Sequence, residues 1–269
     1  MKINVYGSTG FIGSNFCSLY KNEVIEQPRE VNSPKTDNIL YFISTTDNYN
    51  IFTDLHKDVD VNLTKLMKVL TECKDKDVTI NFISSWFVYG KVDLPAKESS
   101  HCTPTGFYSI TKKCAEDLII SYCKTFNKNY RILRLCNVYG PNDKGTSKKK
   151  NALQFLVNEL KANKPINLYN EGKFFRDYMH VTDVCEAIKL VIDKAPVNDI
   201  YNIGSGKPTW FKDLIDFVVK ETNSQSTVTN ITPPEFHKTV QASDIYLDVS
   251  KITNLGFKPK LDIYKEILK

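Results

Sequence analysis

The sequence predicts an α/β fold, a doubly wound parallel sheet with a smaller lobe at its C-terminal end. Three observations carry this. Strand-like and helix-like segments alternate through the first half of the chain, which implies parallel strands with helices on both faces. The run Ile39 to Ser44 is almost continuously apolar, as expected of a strand buried on both sides. Gly7, Gly10 and Gly13 fall between the first strand and the first helix.

The elements follow in order. Ile3 to Tyr6 reads as a strand, Phe11 to Tyr20 as a helix starting inside the glycine turn, and Glu23 to Gln27 as a second strand. The strand at Ile39 to Ser44 comes next. Val59 to Cys73 is helical, with Val59, Leu63, Leu66, Met67 and Leu70 on one stripe. Val78 to Ser84 is a strand, Tyr108 to Phe126 a long helix with Ile110, Cys114, Leu118 and Tyr122 along one face, and Arg131 to Cys136 another strand.

The pattern loosens near Pro141. Asn142 to Lys150 is polar and reads as a loop; Ala152 to Ala162 is a helix, followed by a short strand around Ile166 to Leu168. Thr182 or Asp183 is placed to cap a helix running to Asp193, and Thr209 to cap one over Phe211 to Lys220. Ile200 to Ile203 is a strand. These readings divide the chain into a dinucleotide-binding domain, 1–140, and a substrate-binding lobe, 141–269, with a segment near 182–204 returning to the main sheet.

Bulk properties narrow the function. The 269 residues are 41% hydrophobic and 25% charged, as in a soluble globular protein. The net charge of +5 is mild. The one basic run, Lys148-Lys149-Lys150, lacks interleaved aromatics, which argues against nucleic acid. Seven cysteines form no CxxC pair and match neither a zinc site nor a disulfide framework. Reduced thiols and a cytoplasmic location are expected, with no apolar run long enough for a membrane span and no metal.

The segment Val5-Tyr6-Gly7-Ser8-Thr9-Gly10-Phe11-Ile12-Gly13 suits a dinucleotide. Glycine permits the tight turn and the close approach of a pyrophosphate, and the helix N-terminus offers the Phe11 and Ile12 amides and a positive dipole end. Tyr108 and Lys112 stand four apart, so one helix face carries both. A cation beside a phenol favours the phenolate and supplies an acid/base near working pH.

The GxxGxxG spacing resembles the short-chain dehydrogenase/reductase superfamily, and Gly7 to Gly13 looks like its extended, epimerase/dehydratase branch. Three further segments resemble that branch. Asn81 to Gly90 resembles the strand end bearing its catalytic Ser or Thr, here Ser85. Arg134 to Pro141 resembles RxxNVYGP, and Phe175 to Val184 resembles the RDYxHVxDV of nucleotide-sugar enzymes. The resemblance implies a Rossmann-type fold, Ser85, Tyr108 and Lys112 as catalytic residues, and Lys112 holding a ribose while lowering the Tyr108 pKa. It places Arg176 and Asn137 at a substrate diphosphate, Trp86 at the substrate and Asn62 at the cofactor, and it implies a homodimer through the helices at Val59–Cys73 and Tyr108–Phe126. His180 and Asp183 read as structural.

Three departures sharpen this. The 4,6-dehydratases of the family carry Asp-Glu after the catalytic residue; here Trp86-Phe87 cannot shuttle a proton, which argues against water loss. Epimerase/reductases of the fucose type place a cysteine at Trp86, so two-base epimerisation is also unsupported. Only Arg29 to Asp37 separates the second and next strands, too short for a helical crossover, so the usual third strand should be missing. The family's arginine about six residues before the aspartate matching Asp248 is replaced by Thr239-Val240-Gln241-Ala242-Ser243, leaving Lys238 as its candidate substitute.

Gln27 to Asn32 resembles the corresponding turn of NADPH-using deoxysugar reductases, with Arg29 facing a 2′-phosphate. NADP(H) is therefore favoured over NAD(H), although Glu26 points the other way. The expected function is an NAD(P)-dependent nucleotide-sugar 4-epimerase or 4-keto-sugar reductase acting at hexose C4. The alternative is a cofactor-sensing or scaffold protein on the same fold, a class that usually lacks the Tyr or the Lys kept here.

Overall fold

The computed structural model describes residues 2–46, 48–141, 143, 152–240 and 244–269. The Lys148–Lys150 run, most of its predicted loop, and Gln241–Ser243 lie outside the described residues.

The first half runs β1 (Ile3–Tyr6), α1 (Phe11–Leu19), β2 (Val24–Gln27) and β3 (Asn38–Tyr41). A 3₁₀ turn (Asn48–Phe52) leads to α2 (Lys57–Val59), a π-turn (Asp60–Thr64) and α3 (Lys65–Cys73). Then come β4 (Thr79–Ser85), a short turn (Trp86–Tyr89), α4 (Phe107–Thr125) and β5 (Asn129–Leu135). The second half holds β6 (Asn137–Tyr139), α5 (Ala152–Lys161), β7 (Ile166–Tyr169), β8 (Phe175–Arg176), β9 (Tyr178–His180), α6 (Val181–Lys194) and β10 (Asp199–Ile203). β11 (Thr209–Trp210), α7 (Phe211–Thr222), β12 (Val228–Ile231), α8 (Glu235–Val240), α9 (Ser250–Asn254) and α10 (Ile263–Glu266) complete it.

Six strands form one parallel sheet in the order β10-β5-β4-β3-β1-β2. The expected trimming is present: β2 is the edge, and residues 28–37 return to β3 without a helix. That short return is held by polar side chains of β1 and β2. The Asn4 amide accepts from the Lys35 amide at 2.6 Å, the Tyr6 hydroxyl donates to Asn32 O at 2.6 Å, and Gln27 donates to Ser33 O at 2.6 Å. Hydrogen bonds thus replace the apolar cover a crossover helix would supply.

Core residues lie on both faces of the sheet. Phe16, Val184 and Ile188 pack with Val5, Leu40 and Leu133 on one side. Leu66, Leu70 and Ile119 pack with Ile39, Ile80 and Phe82 on the other. A third cluster, including Leu156, Val157, Leu168, Leu214 and Val218, joins α5 and α7 to β7. β10 pairs with β5, so the chain re-enters the main sheet after α6. Among the described residues, no helix is long and apolar enough to cross a membrane.

Two capping expectations change, and the outward faces of two helices emerge. The His180 ring, not Thr182 or Asp183, caps α6, accepting from the Thr182 amide at 3.2 Å; the Asp183 carboxylate instead accepts from the Lys260 and Leu261 amides. Thr209 belongs to β11, where it pairs with Arg176, and caps nothing. Val59 is exposed, apart from buried Leu66 and Leu70. The α4 face with Ile110 and Leu118 also points outward. α4 instead turns Lys112, Ala115, Glu116, Ile119 and Cys123 inward, because Glu116 has a buried partner. Arg134 meets its carboxylate with Nε at 3.0 Å and Nη2 at 2.7 Å, and Ser84 donates to it at 2.6 Å.

Candidate active site

The glycine turn sits at the C-terminal end of β1. Gly7 has φ of +85°, a left-handed conformation that favours glycine. A Cβ on Gly13 would lie 2.2 Å from Gly7 O, so side chains are excluded where the turn folds onto its helix. Gly10 caps α1 without a side-chain acceptor, which leaves the first-turn amides of Phe11 and Ile12 to the solvent side. A dinucleotide pyrophosphate fits such a backbone cradle.

Beyond the β2 end, Arg29, Lys65 and Lys68 line a cleft of about 360 Å³ with Ile43 and Thr64. Lys65 donates to Asn32 Oδ1, and its ammonium titrates below its ordinary value through burial and the charges of Lys68 and Arg29. Arg29 was legible in the sequence as a candidate; Lys65 and Lys68 were not, because helical spacing alone does not show that they face the β2 turn.

Asn62 does not reach into this cleft. Its Oδ1 accepts from the Thr45 amide and the Ser44 hydroxyl at 2.8 and 3.0 Å, and its amide donates to Thr45 and Thr111 hydroxyls at 2.9 Å each. Every polar position of this side chain is taken by protein, so Asn62 ties the β3 end to α4 rather than offering itself to a cofactor. Asp58 lies alongside, buried, accepting from the Thr45 hydroxyl and Asn50.

Ser85 ends β4 and Tyr108 begins α4. Ser85 Oγ accepts from the Phe87 amide at 3.3 Å, and the Ser85 hydroxyl lies close enough to the Tyr108 phenol to favour its ionised form. Burial pushes the Tyr108 phenol up to about 12; Ser85 opposes this and the Asp58 charge adds to it. Lys112 is buried in α4, and its ammonium donates to Ile83 O at 2.5 Å over the Phe82 ring. Burial draws it down to about 7 against the opposing Glu116 charge. The expected lowering of the phenol by Lys112 is thus absent from the chain by itself, since burial dominates and the ammonium is held by β4.

Trp86 is buried and stacks on Phe87, ring centres 3.9 Å apart, and Phe87 meets Tyr108 edge-on at 5.8 Å. The Arg176 guanidinium lies 5.2 Å from the Trp86 ring and 4.9 Å from Phe174. Burial lowers it to about 10. The next residue fixes its loop: the Asp177 carboxylate accepts from the amides of Ser205, Gly206 and Leu247. Asn137 donates to Asp177 O through its amide side chain at 3.1 Å and its backbone at 3.0 Å, so it braces the Arg176 loop. Lys238 is half-exposed and paired with Glu235 at 2.9 Å on its own helix. Its neighbour His237 is packed between two tyrosines. The Tyr49 hydroxyl hydrogen-bonds His237 Nδ1 at 2.9 Å, and the Tyr169 ring lies 4.6 Å away.

A glycine turn at the end of the first parallel strand, with Ser, Tyr and Lys converging from β4 and α4, defines a Rossmann-type protein of the short-chain dehydrogenase/reductase class. The chain belongs to the NAD dependent epimerase/dehydratase family, whose model matches residues 37–204.

A Methanocaldococcus jannaschii protein provisionally named UDP-glucose 4-epimerase is 30% identical over 213 residues, covering 78% of this chain and 68% of that one. Human dTDP-D-glucose 4,6-dehydratase is 30% identical over 193 residues, with 70% of this chain matching 53% of its length. The crystal structure of Thermotoga maritima UDP-glucose 4-epimerase with UDP-glucose has a TM-score of 0.89, covering all of this chain and 96% of that one at 21% identity. That likeness is one of fold.

Proposed function

We propose that this protein is an NAD(P)-dependent nucleotide-sugar 4-epimerase or 4-keto-sugar reductase acting at hexose C4. The observation that carries the reading is the meeting of Ser85 at the end of β4 with Tyr108 at the start of α4, beside an Arg176 guanidinium 5.2 Å from the Trp86 ring. It joins a proton-handling pair to a buried guanidinium suited to a diphosphate. The cofactor is assigned to the 1–140 lobe and the sugar nucleotide to 141–269, with 182–204 contributing to the main sheet. The related epimerase and dehydratase named for UDP- and dTDP-sugars support that substrate class.

A bound nicotinamide would supply the hydride acceptor and donor. Ser85 Oγ holds the sugar O4, and Tyr108 takes or returns the O4 proton. Deprotonation of a phenol lying at about 12 requires stabilisation from outside the bare chain, and each unit of lowering needs about 1.4 kcal/mol. Lys112 becomes available for this, and for a ribose, where a ligand draws its ammonium from Ile83 O. Trp86 and Phe87 exclude water from the sugar face and carry no proton, which is why 4,6-elimination is not proposed.

NADP(H) is favoured because Arg29, Lys65 and Lys68 converge on one cleft. The assembly proposed is a homodimer through the 59–73 helical segment and α4, which expose Val59, Phe107, Ile110 and Leu118.

The test is incubation with UDP-, dTDP-, GDP- and CDP-hexoses and their 4-keto forms, following NADPH absorbance and analysing products. Absence of turnover with all of them would sink the enzyme reading.

A further inference from the structure

We infer that Asp58 is a positioning residue of the active site: through a buried run of hydrogen bonds its carboxylate anchors the first turn of α4, the turn that carries Tyr108. This rests on the reading of Tyr108 as the proton carrier.

Asp58 is 1% exposed, while the charged residues around it in sequence, Asp54, His56, Lys57 and Asp60, are exposed. Its Oδ1 accepts from the Thr45 hydroxyl and from the Asn50 amide side chain. The Thr45 hydroxyl in turn accepts from the Asn62 side-chain nitrogen at 2.9 Å, and that nitrogen also donates to the Thr111 hydroxyl at 2.9 Å. Thr111 lies on α4 and donates back to the start of its own helix, to Phe107 O at 2.8 Å and Tyr108 O at 3.0 Å. Thr45, Asn62 and Thr111 are all buried, so solvent does not compete for the members of the run.

The carboxylate sets the direction of each bond. An ionised carboxylate only accepts, whereas a hydroxyl can turn either way. Thr45 therefore gives its proton to Asp58 and offers lone pairs to Asn62. Asn62 Oδ1 is already taken by the Thr45 amide and the Ser44 hydroxyl, so its nitrogen is the end that meets Thr111. Thr111 is left with its own proton to place, and the Phe107 and Tyr108 carbonyls receive it. The turn needs such an anchor. Its N-cap, Gly106, supplies no side-chain acceptor. Ser109 closes onto Gly106 at 2.9 and 2.8 Å, which holds the turn together without tying it to the rest of the protein. A buried carboxylate is costly where a neutral group would serve, and here its charge also acts on the phenol. After burial and the opposing Ser85, the Asp58 charge is the remaining influence on Tyr108. On α4 itself, Lys112 is turned to Ile83 O and Glu116 to Arg134.

The measurement is amide hydrogen exchange by mass spectrometry over 106–113, with kcat, KM and the pH profile of turnover. Asp58→Ala removes the acceptor at the head of the run. Exchange over 106–113 should rise by about tenfold, with the later turns of α4 at parent rates. Its kcat should fall by about tenfold to a hundredfold, with KM and NADPH affinity close to the parent's. Asp58→Asn still accepts from Thr45 and should recover most of both losses. Having lost the charge, it should move the limb of the pH profile set by Tyr108 to lower pH by about half a unit to one unit. Thr111→Val cuts the last bond and keeps the charge, so it should reproduce the faster exchange and lower kcat without moving that limb. Parental exchange over 106–113 in Asp58→Ala, or exchange raised equally along the whole of α4, overturns the inference. A limb unmoved in Asp58→Asn makes Asp58 a structural residue only and overturns it too. Exchange is read with or without turnover: a parent inactive on every sugar nucleotide overturns the proposed function, and exchange alone then decides the anchoring. Thermal melts of each variant identify misfolding.

Discussion

The Lys112 ammonium donates to the Ile83 carbonyl and sits 4.0 Å from the centre of the Phe82 ring. A cation under the sheet costs stability whenever it is charged, because desolvation outweighs the partners it has. Its folded pKa, about 7, lies below the ordinary 10.5. Between those values the unfolded chain holds the proton and the folded chain does not. Stability therefore rises with pH across that window and is lost as pH falls through about 7. Thermal melts of Lys112→Met should show a flatter rise with pH than the parent. An identical slope in both would show that Lys112 is not the titrating group.

Ser85 and Tyr108 should be inseparable in function and separable from cofactor binding. Tyr108→Phe removes the proton carrier, and turnover should fall by about 10²–10⁴. Ser85→Ala removes one donor at the reacting oxygen and should cost about 10²-fold. Steady-state rates and NADPH affinity, measured on the same preparations, check this. If NADPH affinity falls in step with turnover, both residues serve the cofactor and not the chemistry.

The architecture was legible because it follows from periodicity and spacing. The alternation of strands and helices, the glycine turn and the short 28–37 return all appear in the structure where the sequence placed them. What was not legible depends on partners far away in sequence. The stripe Ile110, Cys114, Leu118, Tyr122 marks one face of α4 without saying where it points. Glu116 and Arg134, 18 residues apart in sequence, pair inside, and Ile110 and Leu118 are left outward. Asn62 matched a family position, but its four hydrogen bonds go to Ser44, Thr45 and Thr111. Lys238 was a candidate substitute for the family's arginine, but its ammonium pairs with Glu235 on the same helix.

The Arg176 guanidinium lies 5.2 Å from the centre of the Trp86 ring and 4.9 Å from that of Phe174. Lysine keeps the charge but loses the guanidinium–ring contacts and the two-pronged contact with phosphate. Arg176→Lys should therefore raise the KM for the nucleotide sugar by roughly tenfold to a hundredfold, with a smaller change in kcat. An unchanged KM would place the diphosphate elsewhere.

The Arg29, Lys65 and Lys68 cleft predicts the cofactor. The parent should bind NADPH more tightly than NADH, since three cations and one carboxylate, Asp60, line the cleft beyond the β2 end. Each of Arg29→Ala, Lys65→Ala and Lys68→Ala should weaken NADPH by about tenfold and leave NADH nearly unchanged. Lys65 is the most informative of the three, because the charges of Lys68 and Arg29 already lower its pKa. Tighter NADH binding by the parent would overturn the preference for NADP(H).

The outward stripe of α4 carries the last prediction. Ile110 is 46% exposed and Leu118 37%, and Val59 on α2 is 42% exposed. Large apolar groups grouped on neighbouring helices are what a two-fold interface between copies requires, because each copy buries the same patch against the other. Alternatives inside the chain are closed off: the opposite face of α4 is already committed to Glu116, Lys112 and Ile119. Sedimentation of the parent should therefore give a dimer. Ile110→Glu or Leu118→Glu would place a charge at the centre of an apolar contact, where desolvation costs several kcal/mol, and should give a folded monomer. Val31, exposed in the return that follows β2, serves as the comparison: Val31→Glu should remain dimeric. A parent that sediments as a monomer, or a Leu118→Glu variant as dimeric as the parent, would remove α4 from the interface.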